Sequence, residues 1–413
     1  MNISLLTLGC KVNQAESSQI ASKLLAHGWK VVDLDGHPDL CIINTCSVTS
    51  KSDYQSRQLI RRAAKTGSRI IVTGCYSELN VEAVRSMDGV AEVVTNNDKE
   101  SIINSLCDIT SCNSISLDRD PRSRHFTKVQ DGCNNACSYC VIPMARGRSR
   151  SRKINEIIEE IAHIEGFHNE VVITGIHLGT YGYDLIPKVT LPVLIRTILL
   201  KTKVKRIRLS SIEINEIDEE LTEVLQEKRV CNHLHIPLQS GDDRILRMMN
   251  RKYNSLQFKE KLLSIARRLP ETSIGTDIIA GFPGEGENEF ENTRKLLETT
   301  PITYVHVFPF SPRIGTVAFE MSPRVDDLEI KERCKVLRVL AKNKKAEFMH
   351  NQIGKTLDMI VEEIDDRGSC TGTTANYLRV RAFLKSPRLK DVAYVRIADA
   401  TEDTLIGYPI EAL

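Results

Sequence analysis

No stretch of the sequence approaches the roughly 18 consecutive apolar residues of a membrane-spanning helix. The membrane is therefore not expected among the partners. The segment ISLLTLG near the N-terminus is too short for a signal peptide and lacks a basic start, so the expected location is cytoplasmic. Charge of one sign is also missing: the net charge is +2 over 413 residues. Any nucleic-acid site must come from local clustering of cations, not from a basic whole. A hydrophobic fraction of 41% excludes general disorder. The length fits two or three domains.

Cysteine, by contrast, is plentiful, with twelve in the chain. In a cytosolic chain this points to metal binding or redox chemistry before disulfides. Cys133, Cys137 and Cys140 lie in residues 131–152, DGCNNACSYCVIPMARGRSRSR, at spacing C-x3-C-x2-C. Three thiolates on one tight loop can each bind an iron of a cubane cluster. Such a cluster usually takes four, so one iron is left open for a small ligand. The alternative is zinc, which needs a fourth ligand such as His125 and closed tetrahedral geometry.

Three apolar runs near the N-terminus each end in a cysteine: Cys10, Cys46 and Cys75. They are rich in Ile, Val and Leu and bounded by turn residues, which predicts buried strands. Helical patterns at about 15–27 and 53–66 lie between them. Alternating strand and helix predicts a parallel doubly wound sheet, whose strand carboxyl ends line one crevice. The three cysteines would then converge. One such cysteine alone reads as a buried core thiol; three at equivalent strand ends point to a second cluster. Cys41 sits mid-strand and reads as core. Cys107 and Cys112 fall in a polar linker-like stretch, residues 104–116, and are expected to be unliganded. Cys334 and Cys370 read as structural.

Strand patterns follow at 126–130, 170–175, 206–211, 233–240, 273–280 and 303–310. Helical stretches lie at 154–165, 191–201, 258–268, 287–299 and 328–349. Six strand–helix units are fewer than the eight of a closed barrel. The strand ends carry Gly175 and His177, Ser211 and Glu213, and Gln239, Ser240 and Gly241. The segments 275–285 and 310–316 close the last two strands. Glycines admit close backbone approach, and Ser, Glu and Gln supply directed hydrogen bonds. The plain alternatives are strand-ending turns, a hydrogen-bonded His177 and a surface Glu213. After the cysteine loop, ARGRSRSRK brings Arg146, Arg148, Arg150, Arg152 and Lys153 close together. Such a run forms either a solvated face or a set of phosphate contacts.

Beyond residue 350 five short strands predict a small oligonucleotide-binding-type barrel. Arg379, Arg381, Lys385, Arg388, Lys390 and Arg396 cluster in its middle, while Glu362, Glu363, Asp365 and Asp366 lie on its first strand and turn. This suits a one-faced RNA contact, or an ordinary charged surface.

The C-x3-C-x2-C spacing, with Tyr139 before the last cysteine, resembles the signature of radical S-adenosylmethionine (SAM) enzymes. LGCKVNQAES at residues 8–17 and NTCSVTSKSDYQSRQLIRRA at 44–63 resemble the methylthiotransferase family. The resemblance implies an α/β chain in three parts. These are an N-terminal doubly wound parallel sheet with a three-Cys cluster site (1–117), a partial (βα)6 radical-SAM barrel (118–350) and a small all-β TRAM barrel that docks on RNA (351–413). It implies two 4Fe-4S clusters, one on Cys10, Cys46 and Cys75 and one on Cys133, Cys137 and Cys140, with SAM on the open iron of the second.

By the same resemblance, Gly175 and His177 lie by the methionine amino group. Ser211, Glu213 and Gln239 lie near the ribose and carboxylate, and Ile279 packs on adenine; Tyr139 is counted with them. RNA contacts fall to Arg146, Arg148, Arg150, Arg313, Arg379, Arg381 and Lys390. No side chain is assigned a catalytic role. Met144 stands where the family often has Tyr, and Ile314 where it often has Pro. One SAM would methylate cluster-bound sulfur and a second would generate a radical, since an unactivated aromatic carbon offers no acid–base route.

The run CKVNQ at 10–14 resembles the branch that adds a methylthio group to C2 of threonylcarbamoyladenosine at position 37 of tRNA. The alternatives are isopentenyladenosine or a ribosomal protein aspartate. From another class, the alternative is a non-catalytic RNA-binding protein with structural metal. The implied partners are a tRNA anticodon stem-loop, an electron donor such as flavodoxin or ferredoxin, and a sulfur donor.

Overall fold

A computed structural model describes residues 1–106 and 122–410; Cys107 and Cys112 lie outside the described residues. The strands of the first sheet are β1 (Asn2–Thr7), β2 (Lys30–Val31), β3 (Leu40–Thr45), β4 (Arg69–Gly74) and β5 (Val90–Val93). They are all parallel, in the order β2-β1-β3-β4-β5. Every residue of the central strand β3 is buried, which is why its first four residues, LCII, are apolar without alternation. Helices α1 (Lys11–Ala26), α2 (Ser50–Ala64), α3 (Cys75–Leu79), α4 (Val81–Arg85) and α5 (Lys99–Leu106) accompany it. One face buries Ile3, Leu24, Ile42 and Ile71, the other Ile43, Ile60, Ile70 and Val72. Helix α1 starts four residues earlier than its apolar pattern predicts, because Cys10 takes the extended cap conformation there.

In the central part, β6 (His125–Lys128) leads into a short ribbon of β7 (Gln130–Asp131) and β8 (Arg150–Ser151), with α6 (Ile142–Arg146) between them. Then come α7 (Ile154–Ile164), β9 (Glu170–Thr174), α8 (Leu191–Lys201), β10 (Arg206–Leu209), α9 (Glu219–Val224), β11 (His233–His235), α10 (Asp243–Met248) and α11 (Ser255–Arg268). The last elements are β12 (Ser273–Ala280), α12 (Glu287–Glu298), β13 (Tyr304–Pro309) and α13 (Asp327–His350). Parallel sheets β10-β9-β6 and β11-β12-β13 meet through the bridges Ile207–Val230 and Ser211–His235. No pairing joins β6 to β13 among the described residues, so the six strands form an open barrel. Their outer face packs on Ile161, Ile195, Phe258 and Leu262 of the helices.

The last five strands are β14 (Thr356–Ile364), β15 (Ser369–Thr374), β16 (Arg379–Phe383), β17 (Val392–Ala400) and β18 (Leu405–Pro409). They close into a TRAM-like barrel, β14-β15-β16-β18-β17. This barrel sits at the amino ends of β9 and β10. Arg208 donates to the carbonyls of Thr374 (2.9 Å) and Ala375 (2.9 Å), and Arg206 to that of Thr373 (3.3 Å). Both guanidiniums pair with buried Glu170. No described helix is long and apolar enough to cross a membrane.

Candidate functional site: two cysteine triads joined by an arginine

Cys10, Cys46 and Cys75 each follow a strand of the first sheet, after β1, β3 and β4. Two glycines allow the loops to close on one another. Gly9 has φ 97°, and a Cβ there would lie 2.7 Å from Cys46 Sγ; Gly74 has φ 102°, and a Cβ there would lie 2.3 Å from the Thr45 carbonyl oxygen. Only glycine combines that backbone with that approach. Asn13 ties the loops together, donating from Nδ2 to the carbonyls of Leu8 (2.8 Å) and Thr45 (2.9 Å). Cys46 and Cys75 are buried and Cys10 is exposed.

Arg146, expected to contact RNA, is buried instead, with no side-chain exposure. The alternating Arg–Ser run hid this, because its partners come from distant segments. Arg146 Nε donates to Cys75 Sγ at 3.3 Å, and Nη1 to Glu16 and Asp131 at 2.9 Å each. Nη2 bonds Asn13 and Glu16. One guanidinium, at the end of α6, thus links the Cys75 sulfur to Asp131, two residues before Cys133. Burial would raise the Glu16 carboxyl, but Lys99, Arg146 and Lys128 hold it well below the carboxylate range. Burial pushes the Cys75 thiol up to about 11, with Arg146 opposing.

The second triad lies on the turn between β7 and α6. The Asn135 backbone N–H donates to Cys133 Sγ at 3.3 Å, and Arg251 Nη1 to Cys137 Sγ at 3.5 Å. Burial and the neighbouring thiols push Cys140 up to about 12. His177 Nδ1 lies 3.6 Å from Cys133 Sγ, and Nε2 is in ion-pair contact with Glu216. Burial alone would lower this imidazole, but Cys133 and Glu216 outweigh it and raise it to about 10.

Gly175 lies against Gln130, whose Oε1 accepts from the His177 backbone N–H at 2.8 Å. Glu213 pairs with Arg251, and Ser211 is exposed beside β11. Gln239 has φ 71° and is held between the Asp277 carbonyl (2.8 Å) and the Ile279 N–H (3.0 Å). A non-glycine residue there stores strain of order 1–3 kcal/mol, a cost seen where function constrains backbone. Tyr139 and Ile279 pack together on the apolar cluster of Ile245, Met249, Phe282 and Ala318.

Both triads fit clusters better than single ions. Buried thiols raised this far give up their protons when a metal supplies the missing positive charge. Among the described residues, only His235, Asp277 and His306 bring three ligand atoms within 4.8 Å of one another. Neither cysteine triad is drawn in that closely, as one zinc ion would require. His125, the candidate fourth zinc ligand, is instead engaged with Glu160 at 3.0 Å.

A model of the Radical SAM superfamily matches residues 127–297. One described as uncharacterized protein family UPF0004 matches residues 2–96. The chain is 40% identical over 380 residues to threonylcarbamoyladenosine tRNA methylthiotransferase MtaB of Rickettsia prowazekii, covering 87% of each chain. It is 35% identical over 428 residues to the Bacillus subtilis protein of that name, covering 98% of this chain and 94% of that one. The chain belongs to the MtaB family of threonylcarbamoyladenosine tRNA methylthiotransferases. It is 29% identical to a tRNA-2-methylthio-N(6)-dimethylallyladenosine synthase of Thermodesulfovibrio yellowstonii, covering 97% of each. Among solved structures, the radical SAM methyltransferase TsrM of Kitasatospora setae, with cobalamin and a [4Fe-4S] cluster bound, superposes at TM-score 0.57. It is 14% identical and covers 77% of each chain, a likeness of fold alone.

In this MtaB-family chain the remaining cations expected to touch RNA divide into two groups. Arg313 is buried and donates to Ser47 and Asp53 at 2.7 Å each, so it fastens the central barrel to the first sheet. Arg148, Arg150, Arg379 and Arg381 are exposed, and Lys390 is partly so. Arg379 pairs with Glu363 at 2.8 Å, so acid and base are not confined to separate faces of the terminal barrel. Met144 and Ile314, the two departures from the family pattern, are both exposed. Sequence reasoning missed Lys11, Asn13, Glu16, Asp131, Arg251, Asp277 and His306. Lys11, Asn13 and Glu16 lie in the quoted run 8–17, Asp131 opens the cysteine stretch and Asp277 lies in segment 275–285, whereas Arg251 and His306 carried no signal.

Proposed function

We propose that this protein is a radical-SAM tRNA methylthiotransferase that adds a methylthio group to C2 of threonylcarbamoyladenosine at position 37. The observation that carries this is the Arg146 link between the Cys75 sulfur and Asp131, two residues before Cys133. Cys10, Cys46 and Cys75 would hold one 4Fe-4S cluster, and Cys133, Cys137 and Cys140 the other with SAM. When bound, these groups supply the one-electron chemistry and the sulfur that the side chains lack. Arg146 keeps a fixed cation beside Cys75. Tyr139 and Ile279 exclude water from the adenine end of the SAM site, Gln239 offers backbone polar groups, and Glu213 is oriented by Arg251.

Exposed Arg148, Arg150, Arg379 and Arg381, with Lys390, contact the phosphates of the anticodon stem-loop. A small electron carrier such as flavodoxin or ferredoxin and a separate sulfur donor complete the reaction, in the cytoplasm. The test is anaerobic incubation of the reconstituted enzyme with SAM, reductant and a stem-loop carrying threonylcarbamoyladenosine. Mass analysis should find one methylthio group in place of one hydrogen. Cys133→Ala should lose 5'-deoxyadenosine formation, whereas Cys46→Ala should keep it and lose methylthiolation. Turnover of an isopentenyladenosine stem-loop in preference would overturn the substrate, and methylthiolation by Cys46→Ala would overturn the second cluster.

A further inference from the structure

The inner face of the open barrel carries a row of polar and aromatic side chains that no role above uses. In the β12–β13 register Ile279 stands beside Phe308, Asp277 beside His306, and Gly275 beside Tyr304. Val305 and Val307 pack on the outer core, so Tyr304, His306 and Phe308 face inward. Asp277 Oδ1 meets His235 Nε2 at 3.0 Å and His306 Nδ1 at 3.2 Å. The Tyr304 hydroxyl bonds His233 (2.7 Å) and His235 (3.1 Å). Tyr377, on a turn of the terminal barrel, stacks on His233 with ring centroids 4.3 Å apart. The mouth of the row is open, since His306 and Phe308 are exposed.

Three cations surround the Tyr377 ring: Arg208 at 5.2 Å, Lys11 at 5.6 Å and Arg124 at 6.0 Å. Two of them have carboxylates. Arg208 pairs with Glu170 at 2.7 Å and Arg124 with Glu362 at 3.1 Å. Lys11 has no carboxylate within ion-pair distance among the described residues and is partly buried. An unpaired ammonium in such a place is costly unless an anion completes it. Lys11 is the first residue of α1, directly after Cys10 in the chain.

We propose that Lys11, seated on Tyr377, binds the carboxylate of an amino-acid substituent on the substrate adenine and so selects an amino-acid-conjugated adenosine over one with an apolar substituent. This rests on the reading above and assigns it a specificity residue. The physical basis is asymmetric rejection: a site with a buried charge to satisfy excludes an analogue that leaves it unpaired. An isopentenyl chain would desolvate Lys11 and give nothing in return.

The test measures binding of the cluster-loaded enzyme to two labelled stem-loops. One carries threonylcarbamoyladenosine and the other its carboxylate methyl ester. Wild type should prefer the acid by about 10- to 100-fold, the range of a charged hydrogen bond. Lys11→Met should bind the two alike, and Lys11→Arg should keep the preference. Tyr377→Leu, far in sequence from any triad cysteine, should reduce it several-fold while iron content stays at the wild-type level. A Lys11→Met enzyme that still prefers the acid overturns the assignment. Equal binding of both RNAs by wild type also overturns it, even if the acid is methylthiolated. Failure of wild type to methylthiolate the acid form at all is a different result, and strikes the proposed function instead.

Discussion

Arg146 bonds four residues, Cys75, Glu16, Asp131 and Asn13, from inside the protein. Removing one member of a buried charge network costs about 3–5 kcal/mol, because the carboxylates left behind lose their counter-charge. Arg146→Met should therefore lower the unfolding free energy by that amount and lose iron from the N-terminal triad. Arg146→Lys should not restore either, since one ammonium cannot reproduce the fork that reaches Cys75 and both carboxylates. Chemical denaturation and iron analysis check both. Within ARGRSRSRK nothing in composition separates Arg146 from exposed Arg148 and Arg150. Its environment is set by Glu16, 130 positions away in the chain, and by Cys75, 71 away.

At the scale of elements, the strand ends govern the first triad. β3 and β4 run side by side with Thr45 opposite Gly74, and Cys46 and Cys75 follow directly. A side chain at Gly74 would meet the Thr45 backbone at 2.3 Å while φ stays at 102°. Gly74→Ala should push these two strand ends apart at about 2–4 kcal/mol. Iron per chain should fall from about eight to about four, since the Cys133 loop lies on other elements. Retention of all the iron would mean the close approach is unimportant. This arrangement was legible in advance. Three Ile- and Val-rich runs ending in cysteine, with helices between, admit one parallel sheet with the cysteines along one edge. The strand in YLRVRAF was less legible: it begins at Arg379 because Tyr377 occupies the left-handed region, which its aromatic side chain does not announce.

Across the whole molecule, the terminal barrel is fastened to the central one through a buried triplet, Glu170 with Arg206 and Arg208. Burial alone would raise Glu170, but Arg208 and Arg206 hold it at about 2 against the usual 4.5. A depressed carboxyl contributes stability above its unfolded value and loses it as pH falls toward its folded value. The gap corresponds to roughly 3 kcal/mol. Wild type should thus exceed Glu170→Gln by about that much at neutral pH, and the difference should shrink between pH 4.5 and 2, read from urea midpoints. A pH-independent difference would assign the loss to shape, not charge.

The periodicities of 2 and 3.6 and the short final strands were enough to specify the parallel sheet, the strand–helix repeat and the terminal barrel, because those signals are local and repeat along the chain. Which cations are free was decided only by folding. Arg146 and Arg313 turn inward to meet Glu16 and Asp53 of the N-terminal part, while Lys11 is carried to Tyr377 with no ion-paired carboxylate among the described residues. Pairing between charges depends on distances through space, and no spacing in the sequence encodes those.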